Sequence, residues 1–202
     1  MNSRVFRLII FGLLSSGLLA GCFATTPQVS YYSLYAPGQK PVPAVTNTSN
    51  LAVSVGPVTI PDILKQEKIA SGSGDGRYHM AEYHRWSGEL DRDFARALAE
   101  RLSVALGTEK VAIFPWDQNF APSCRVYLDV LNMAGEPGKE AKLSVRWAIA
   151  KPDGEQPLLV RRSELRDVPA EASYSAWVAA QQRNLANLGQ EIATAIRENL
   201  KP

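Results

Sequence analysis

The sequence predicts an α/β or α+β protein, a compact sandwich in which two long helices pack on a mixed, mostly antiparallel sheet. About seven segments have the period-two alternation or the aromatic and β-branched content of strands. Two further segments carry apolar residues at spacings of three and four, as amphipathic helices do. Because one helical segment lies between strands and the other closes the chain, helices and sheet are expected to form packed layers.

The predicted strands follow one another with clear stop signals between them. Pro57 and Pro115 end two of them, and Pro and Gly at 135–138 and 151–154 form the turns that separate the last three. Those three strands therefore predict an antiparallel meander with one buried face. The predicted strands are 29–35, 51–58, 77–85, 111–114, 124–130, 141–149 and 158–165.

Helix signals frame the remaining segments. The first helix is predicted to start at Ser87 or Gly88 and to end at Gly107, and the second is predicted to be capped by Ser173. Segment 36–50 is rich in Pro, Gly, Ser, Thr and Asn and predicts a surface loop. A proline-initiated helical turn is expected at 61–64 and a flexible glycine-rich tip at 71–76.

The N-terminus has the pattern of a secretory leader. Arg4 and Arg7 precede an apolar run at 8–20, which is shorter than the roughly 20 residues that a membrane-spanning helix needs. The run ends in Leu-Ala-Gly followed by Cys22, which resembles a bacterial lipobox. An ordinary signal peptide with a chance cysteine is the alternative.

A lipobox implies that residues 1–21 are removed and that Cys22 receives diacylglycerol and an N-acyl chain such as palmitate. This covalent lipid is the only group expected on the protein. Three acyl chains would hold the protein on a bilayer. Phe23 follows the cysteine where aspartate would retain the lipoprotein at the inner membrane, so the outer membrane is expected. Residues 22–28 would form a short tether, and residues 29–202 a single periplasmic domain.

Composition excludes several function classes. Without Arg4 and Arg7 of the leader, 20 of the 22 Lys and Arg remain, against 20 Asp and Glu. A near-neutral chain with no basic face gives no support for nucleic-acid binding. Cys22 and Cys124 are the two cysteines, so acylation of the first leaves no intramolecular disulfide. His79 and His84 alone are not expected to bind a metal.

Candidate functional residues each have a structural alternative. Cys124 with a histidine base could form a nucleophile, but its strand position predicts a buried, inert thiol, so no catalytic residue is expected. The stretch His84-Arg85-Trp86 is a possible partner contact, or a packed corner between a strand and a helix. Ile63 and Leu64 could contact a partner from an exposed loop, or cover a sheet edge. The segment 61–76 is the expected region of self-association.

The order of several stretches resembles the PqiC family, also described as the ABC-type transport auxiliary lipoprotein component or membrane integrity-associated transporter subunit. The match covers essentially the whole mature chain. It is carried by the lipobox at Cys22, Tyr31-Tyr32-Ser33-Leu34, Val55-Gly56-Pro57-Val58-Thr59-Ile60-Pro61 with Leu64, Ala81-Glu82-Tyr83-His84-Arg85-Trp86 with Leu90, and Trp147 with the closing helix.

The resemblance implies a fold similar to anticodon-binding-like and TolB N-terminal domains, and no enzymatic activity. It also implies an outer-membrane lipoprotein that is the partner of an MCE-domain protein in an intermembrane lipid-transport system and supports membrane integrity. A small adaptor at the symmetric end of such a partner is expected to be a homo-oligomer, in a ring. The alternatives are a periplasmic lipid or peptide carrier, and a structural or secretion-assisting lipoprotein. An apolar cavity of several hundred Å³ would favour the carrier.

Overall fold

Eight strands and two α-helices are present in the residues that the computed structural model describes, which are 27–35, 49–73 and 75–200. The helices are α1 (Leu90–Leu106) and α2 (Tyr174–Asn199), and a 3₁₀ turn covers Asp62–Lys65. The predicted leader, Cys22 and most of the predicted 36–50 loop lie outside the described residues. The strands are β1 (Ser30–Tyr32), β2 (Val53–Thr59), β3 (Lys68–Ser71), β4 (His79–Trp86), β5 (Val111–Ile113), β6 (Cys124–Glu136), β7 (Glu140–Ala150) and β8 (Pro157–Asp167).

The strands form two mixed sheets, where the sequence predicted one. The larger sheet has the order β5-β2-β6-β7-β8, and the smaller has the order β1-β4-β3. Strand β2 is parallel to both of its neighbours, whereas β6, β7 and β8 form the predicted antiparallel meander. An antiparallel bridge between Gly72 and Gly135 joins the two sheets at one end. A Cβ on Gly135 would lie 2.1 Å from the carbonyl oxygen of Glu140, so this junction requires glycine.

The two helices pack on one face of the larger sheet and bury it. The inward positions of β6 include Cys124 and Val126, and those of β7 include Val145 and Trp147; all of them are at most 1% exposed. The intervening positions face away from the helices, and Arg146 lies there beside Asp129. This alternation confirms the predicted half-buried meander, and within the described ranges no helix covers the outer face of the sheet.

Helix α1 connects β4 to β5 and is anchored through Asp93 in its first turn. Ser33 Oγ donates to Asp93 Oδ1 at 2.7 Å, and the backbone N–H of Leu34 donates to Oδ2 at 2.5 Å. This carboxylate therefore fixes the chain segment that follows β1 on the start of the helix. The helix ends at Gly107, whose φ of 65° is left-handed, as the sequence predicted.

Helix α2 begins as predicted, because Ser173 Oγ accepts a hydrogen bond from the N–H of Ala176 at 3.1 Å. Its apolar stripe packs into the core, with Leu188 and Ile192 fully buried. Gln181 interrupts the stripe, and its amide donates to the carbonyl oxygens of Ala134 and Lys142, each at 3.1 Å. A buried amide thus ties the helix to the end of the β6–β7 hairpin.

Strand β3 was not predicted from the sequence. Its four residues lie next to a Gly- and Ser-rich stretch, which favoured a loop and a flexible tip at 71–76. In the structure Ile69, Ala70 and Ser71 are at most 3% exposed and pair with β4. The possible exposed loop therefore does not extend to Ile69, and the expected flexible tip does not begin at Ser71, because both residues belong to the packed sheet.

Candidate functional site

A surface cleft of about 470 Å³ lies where β2 and β5 end and α1 begins. Its walls come from four places in the chain: the Gly56-Pro57 corner of β2, Lys65 at the end of the 3₁₀ turn, the Phe114-Pro115 corner after β5, and the start of α1. Both X–Pro bonds are cis. Crevices at the carboxyl ends of parallel strands are common ligand and partner sites in mixed α/β sheets.

The cleft is shaped by the close approach of its two proline corners. Gly56 has a φ of 108°, a conformation that residues with a side chain rarely adopt. A Cβ on Gly56 would lie 3.0 Å from the Cβ of Phe114. Glycine therefore lets the β5 corner lie against the β2 corner, and the Phe114 ring lies at the lip of the cleft.

The walls of the cleft are mixed, with nearly as much polar as apolar surface, and its charged residues balance in number. Four lining residues are charged, two cations (Lys65 and Arg92) and two anions (Glu89 and Asp91). Arg92 Nε lies 3.2 Å from Glu89 Oε2, and Lys65 Nζ lies 2.6 Å from Asp62 Oδ1. The hydrogen bond from Lys65 holds the pKa of Asp62 below its usual value. Arg92 and Glu89 thus pair within the lining, whereas Lys65 pairs with a residue outside it, and two cations with two anions leave the lining without net charge.

An aromatic cluster continues from the lip of the cleft. Phe114 is 49% exposed and meets Trp116 edge to face, with ring centroids 5.4 Å apart. Arg125 lies on the outer face of β6, and its guanidinium carbon is 5.6 Å from the centroid of the Trp116 ring. Trp116 thus contacts both Phe114 and Arg125. Exposed aromatic side chains that pack on neighbouring residues, as Phe114 packs on Trp116, are typical of the residues that dominate binding in protein interfaces.

His84 and Trp86, which the sequence nominated for partner contact, are engaged inside the fold. Tyr32 Oη lies 2.9 Å from His84 Nδ1. The His84 ring stacks on the Tyr174 ring, with the two ring centroids 4.3 Å apart. Trp86 is 4% exposed and belongs to the core. A surface role is therefore wrong for Trp86, and His84 connects β1, β4 and α2. Arg85 remains partly exposed and forms an ion pair with Glu67 at 3.3 Å.

Ile63 and Leu64 are placed in the 3₁₀ turn next to the cleft. Leu64 is 1% exposed, so its expected position on an exposed loop is wrong, and the alternative of covering the sheet describes it. Ile63 is half-buried and packs on the core. The cleft instead receives Lys65, which follows them directly. A partner contact through Ile63 stays a prediction.

Cys124 is buried at the centre of the larger sheet, as predicted. Burial raises the pKa of the thiol to about 12, so it is protonated at neutral pH. Within the described ranges no three His, Cys, Asp or Glu side chains are grouped as metal ligands would be. Neither helix in this part of the chain has the length and apolarity to cross a membrane.

Residues 32–193 match the family model of the ABC-type transport auxiliary lipoprotein component. The chain belongs to this family. Among curated proteins, no match reaches significance. The matched range contains both proline corners, α1 and the meander, so the cleft is part of the family's domain and not an addition to it.

Solved structures show the same fold at low sequence identity. An uncharacterized protein superposes with a TM-score of 0.67 and 19% identity, over 84% of this chain and 99% of that chain. A Xanthomonas campestris protein of family DUF330 superposes with a TM-score of 0.59 and 13% identity, over 83% of this chain and 89% of that chain. These similarities confirm the α/β sandwich.

The sequence analysis missed Phe114 and Trp116 as candidate site residues. A signal was present, because two predicted strands end in an X–Pro pair and one of these prolines, Pro115, has an aromatic residue on each side. The pairs meet only because β2 and β5 are parallel neighbours, paired from Val53 with Val111 to Val55 with Ile113. That adjacency depends on the topology, which the sequence pattern alone does not specify.

Proposed function

We propose that this protein is a non-enzymatic adaptor, anchored by a lipid on Cys22 in the outer membrane and facing the periplasm. Its partner is an MCE-domain protein of an intermembrane lipid-transport system, and the pair supports membrane integrity. The family, a transport auxiliary lipoprotein component, supports a role beside a transporter. The observation that carries the docking role is the charge-balanced cleft with the exposed Phe114 at its lip.

The direction of β1 supports this arrangement. β1 runs parallel to β4, with Ser30 opposite His84 and Tyr32 opposite Trp86. The chain therefore enters from the amino end of this pair and runs towards Trp86, beyond which α1 starts and the cleft lies. Residues 27–29, which lead into β1, and the cleft thus lie towards opposite ends of this strand pair. A lipid at Cys22 would place the cleft on the side that faces away from the membrane.

The filled core favours an adaptor over a carrier. Trp147, Trp177 and Phe94 are at most 1% exposed and occupy the space between the helices and the larger sheet. The cleft is at the surface, and four of its thirteen lining residues are charged. A carrier needs an apolar pocket that encloses most of its ligand. A surface cleft with both polar and apolar walls therefore fits a segment of a protein partner better than an acyl chain.

The anchor is tested by Cys22→Ser in the full chain, with fractionation of the envelope. We expect the variant to leave the outer-membrane fraction while its domain still folds. Retention of the variant in washed outer membranes would contradict lipidation at Cys22.

The docking role is tested by co-purification of the lipidated protein with an MCE-domain protein from the same envelope. We expect Phe114→Ala to reduce recovery of the partner at least about tenfold, as hot-spot residues do. Tyr78→Ala is the matched control, because Tyr78 is also exposed, at 40%, but lies away from the cleft. Equal recovery with both variants would contradict the docking role. Lipid that co-purifies in a one-to-one ratio and is lost in Phe114→Ala would favour the carrier.

A further inference from the structure

The last residues of β2 have β6 on one side and no strand on the other. β2 continues to Thr59, but its neighbour β5 ends at Ile113, which lies opposite Val55. The chain after β5 turns away at Phe114, which lines the cleft. Within the described ranges no other strand pairs with this side of β2, so its open edge borders the cleft.

The backbone hydrogen bonds of β2 alternate between its two neighbours. The carbonyl oxygen of Val55 accepts from the N–H of Phe114 at 2.9 Å, so this residue faces β5. The carbonyl oxygen of Ala52 accepts from the N–H of Cys124 at 3.4 Å, so that residue faces β6. In the first part of β2, odd-numbered residues therefore face β5 and even-numbered residues face β6.

A bulge then reverses this order. β2 advances three residues from Val55 to Val58 while β6 advances two, from Val126 to Leu128. Residues an even number apart on a strand face the same neighbour, so the backbone of Leu128 faces β2 as that of Cys124 does. In a parallel ladder Leu128 bonds to the residues on either side of its partner. The N–H and C=O of Val58 itself therefore point away from β6, towards the cleft.

The lining of the cleft agrees with this direction. Val58 and Ile60 line it, whereas Thr59 between them does not. Thr59 lies beside β6, where its hydroxyl donates to Asp129 Oδ1 at 2.9 Å. The chain stays extended through Pro61, whose ψ is 145°, so the alternation continues to Ile60. In the described part of the chain no loop residue hydrogen-bonds to the backbone of Val58, and a backbone edge of this kind favours a hydrogen-bonding partner.

We propose that a protein partner adds a short extended segment beside residues 58–60, in the line that β5 leaves at Phe114. The proposal rests on the docking function proposed above and specifies how the partner is held. An extended chain presents N–H and C=O groups at a repeat of about 6.6 Å, which matches the repeat of Val58 and Ile60. An acyl chain offers neither donor nor acceptor. Because the cleft would face away from the outer membrane, a partner that spans the periplasm would reach this edge directly.

The wall beside this edge selects the side chains of the added segment. Helix α1 covers the inner face of the sheet, and its residues Leu90 and Ala95 line the cleft and are at most 6% exposed. Every second side chain of an added strand points to this wall, so these side chains should be small and apolar. The side chains between them point to the uncovered face of the sheet and are not restricted in this way.

Hydrogen exchange resolved to single amides tests the proposal on the detergent-solubilised full chain, with and without the MCE-domain protein of the same envelope. In the chain alone the N–H of Val58 should exchange fast, and that of Thr59 slowly, because Leu128 pairs with it. The partner should slow Val58 at least about tenfold and leave Thr59 nearly unchanged. Slow exchange of Val58 in the chain alone, or no change with the partner, would overturn the proposal.

The same measurement separates other occupants of the edge. Protection of Val58 that rises with the concentration of the chain alone would assign the edge to a second copy. Protection by vesicles of phosphatidylethanolamine and phosphatidylglycerol would assign it to lipid. Either result would contradict strand addition by a protein partner.

Proline substitution tests the hydrogen bond itself in the co-purification assay. V58P removes the N–H that faces the cleft and leaves the pairing with β6 in place. Recovery of the partner should fall about tenfold further than in V58A, which keeps this N–H. T59P removes an N–H that pairs with β6, so in urea it should unfold more readily than V58P. If V58P does not fold, hydrogen exchange of the wild type still decides the proposal.

The outcomes distinguish the proposal from the docking function on which it rests. Equal recovery with V58P and V58A, while Phe114→Ala loses the partner, would show a docking cleft without strand addition. Full recovery with V58P and with Phe114→Ala would contradict both the strand addition and the docking function.

Discussion

Two aromatic corners of this protein look alike in sequence and differ in what the fold does with them. The corner at the end of β4 carries His84 and Trp86, and the corner after β5 carries Phe114 and Trp116. In the first, the Trp86 ring is 4% exposed and His84 is held between two tyrosines. In the second, Phe114 is 49% exposed at the lip of a cleft. The difference teaches that an aromatic motif indicates a binding function only when its ring stays exposed to solvent in the folded protein.

The largest expected effect is on stability at the first corner. Trp86→Ala should lower the free energy of unfolding by about 3–5 kcal/mol, because it empties a filled core site. Phe114→Ala should change that free energy by no more than about 0.5–1 kcal/mol, since half of its ring is already in solvent. Urea unfolding of the two variants measures both values. Similar losses in the two variants would remove the distinction between the corners.

Substitution and labelling of Cys124 test the burial of the sheet face that the two helices cover. Cys124→Ala should cost about 1–2 kcal/mol through lost packing, with envelope function unchanged at matched expression. Since burial raises the pKa of the thiol to about 12, a thiol reagent should label Cys124 in urea and leave it unlabelled in the native protein at pH 8. Rapid native labelling, or loss of function with a normal fold, would reopen the nucleophile hypothesis.

His84→Gln sharpens the comparison within the first corner. The substitution removes the stack on Tyr174 and alters the hydrogen bond with Tyr32, so we expect a loss of about 1 kcal/mol in stability. Capture of the partner should stay at the wild-type level, in contrast to Phe114→Ala. Partner capture that falls as far in His84→Gln as in Phe114→Ala, with the variant folded, would return His84 to the contact surface.

The smallest effect concerns the Asp167–Arg183 pair, which fixes the end of β8. The hydrogen bond from Arg183 lowers the pKa of Asp167, so the folded state binds this proton less readily than the unfolded state. The stabilisation is complete above the unfolded pKa of about 4 and is lost as pH falls through the lower, folded pKa. Because the pair is partly exposed, we expect less than about 1 kcal/mol. Unfolding curves of wild type and Asp167→Asn should converge as pH falls; a constant gap would contradict this.

Local patterns in the sequence were sufficient for most of the fold. The meander, the Ser173 cap and the Gly107 stop were predicted because each depends on alternation or on one residue's backbone preference. β3 was missed because its burial comes from pairing with β4 and from the Gly72–Gly135 bridge, which are long-range contacts. The same limit applies to the site. Gly56 and Phe114 are 58 positions apart, and only the parallel β2–β5 pairing brings them together.

Photo-crosslinking in living cells tests the central claim, that the second corner is the docking surface of a membrane-anchored adaptor. A photoreactive phenylalanine analogue at Phe114 in the full lipidated chain should give an adduct with an MCE-domain protein, identified by mass spectrometry. The analogue at Tyr78 should give none, although that ring is also exposed. Adducts of equal yield from both positions, or adducts of position 114 with lipid alone, would contradict the adaptor function.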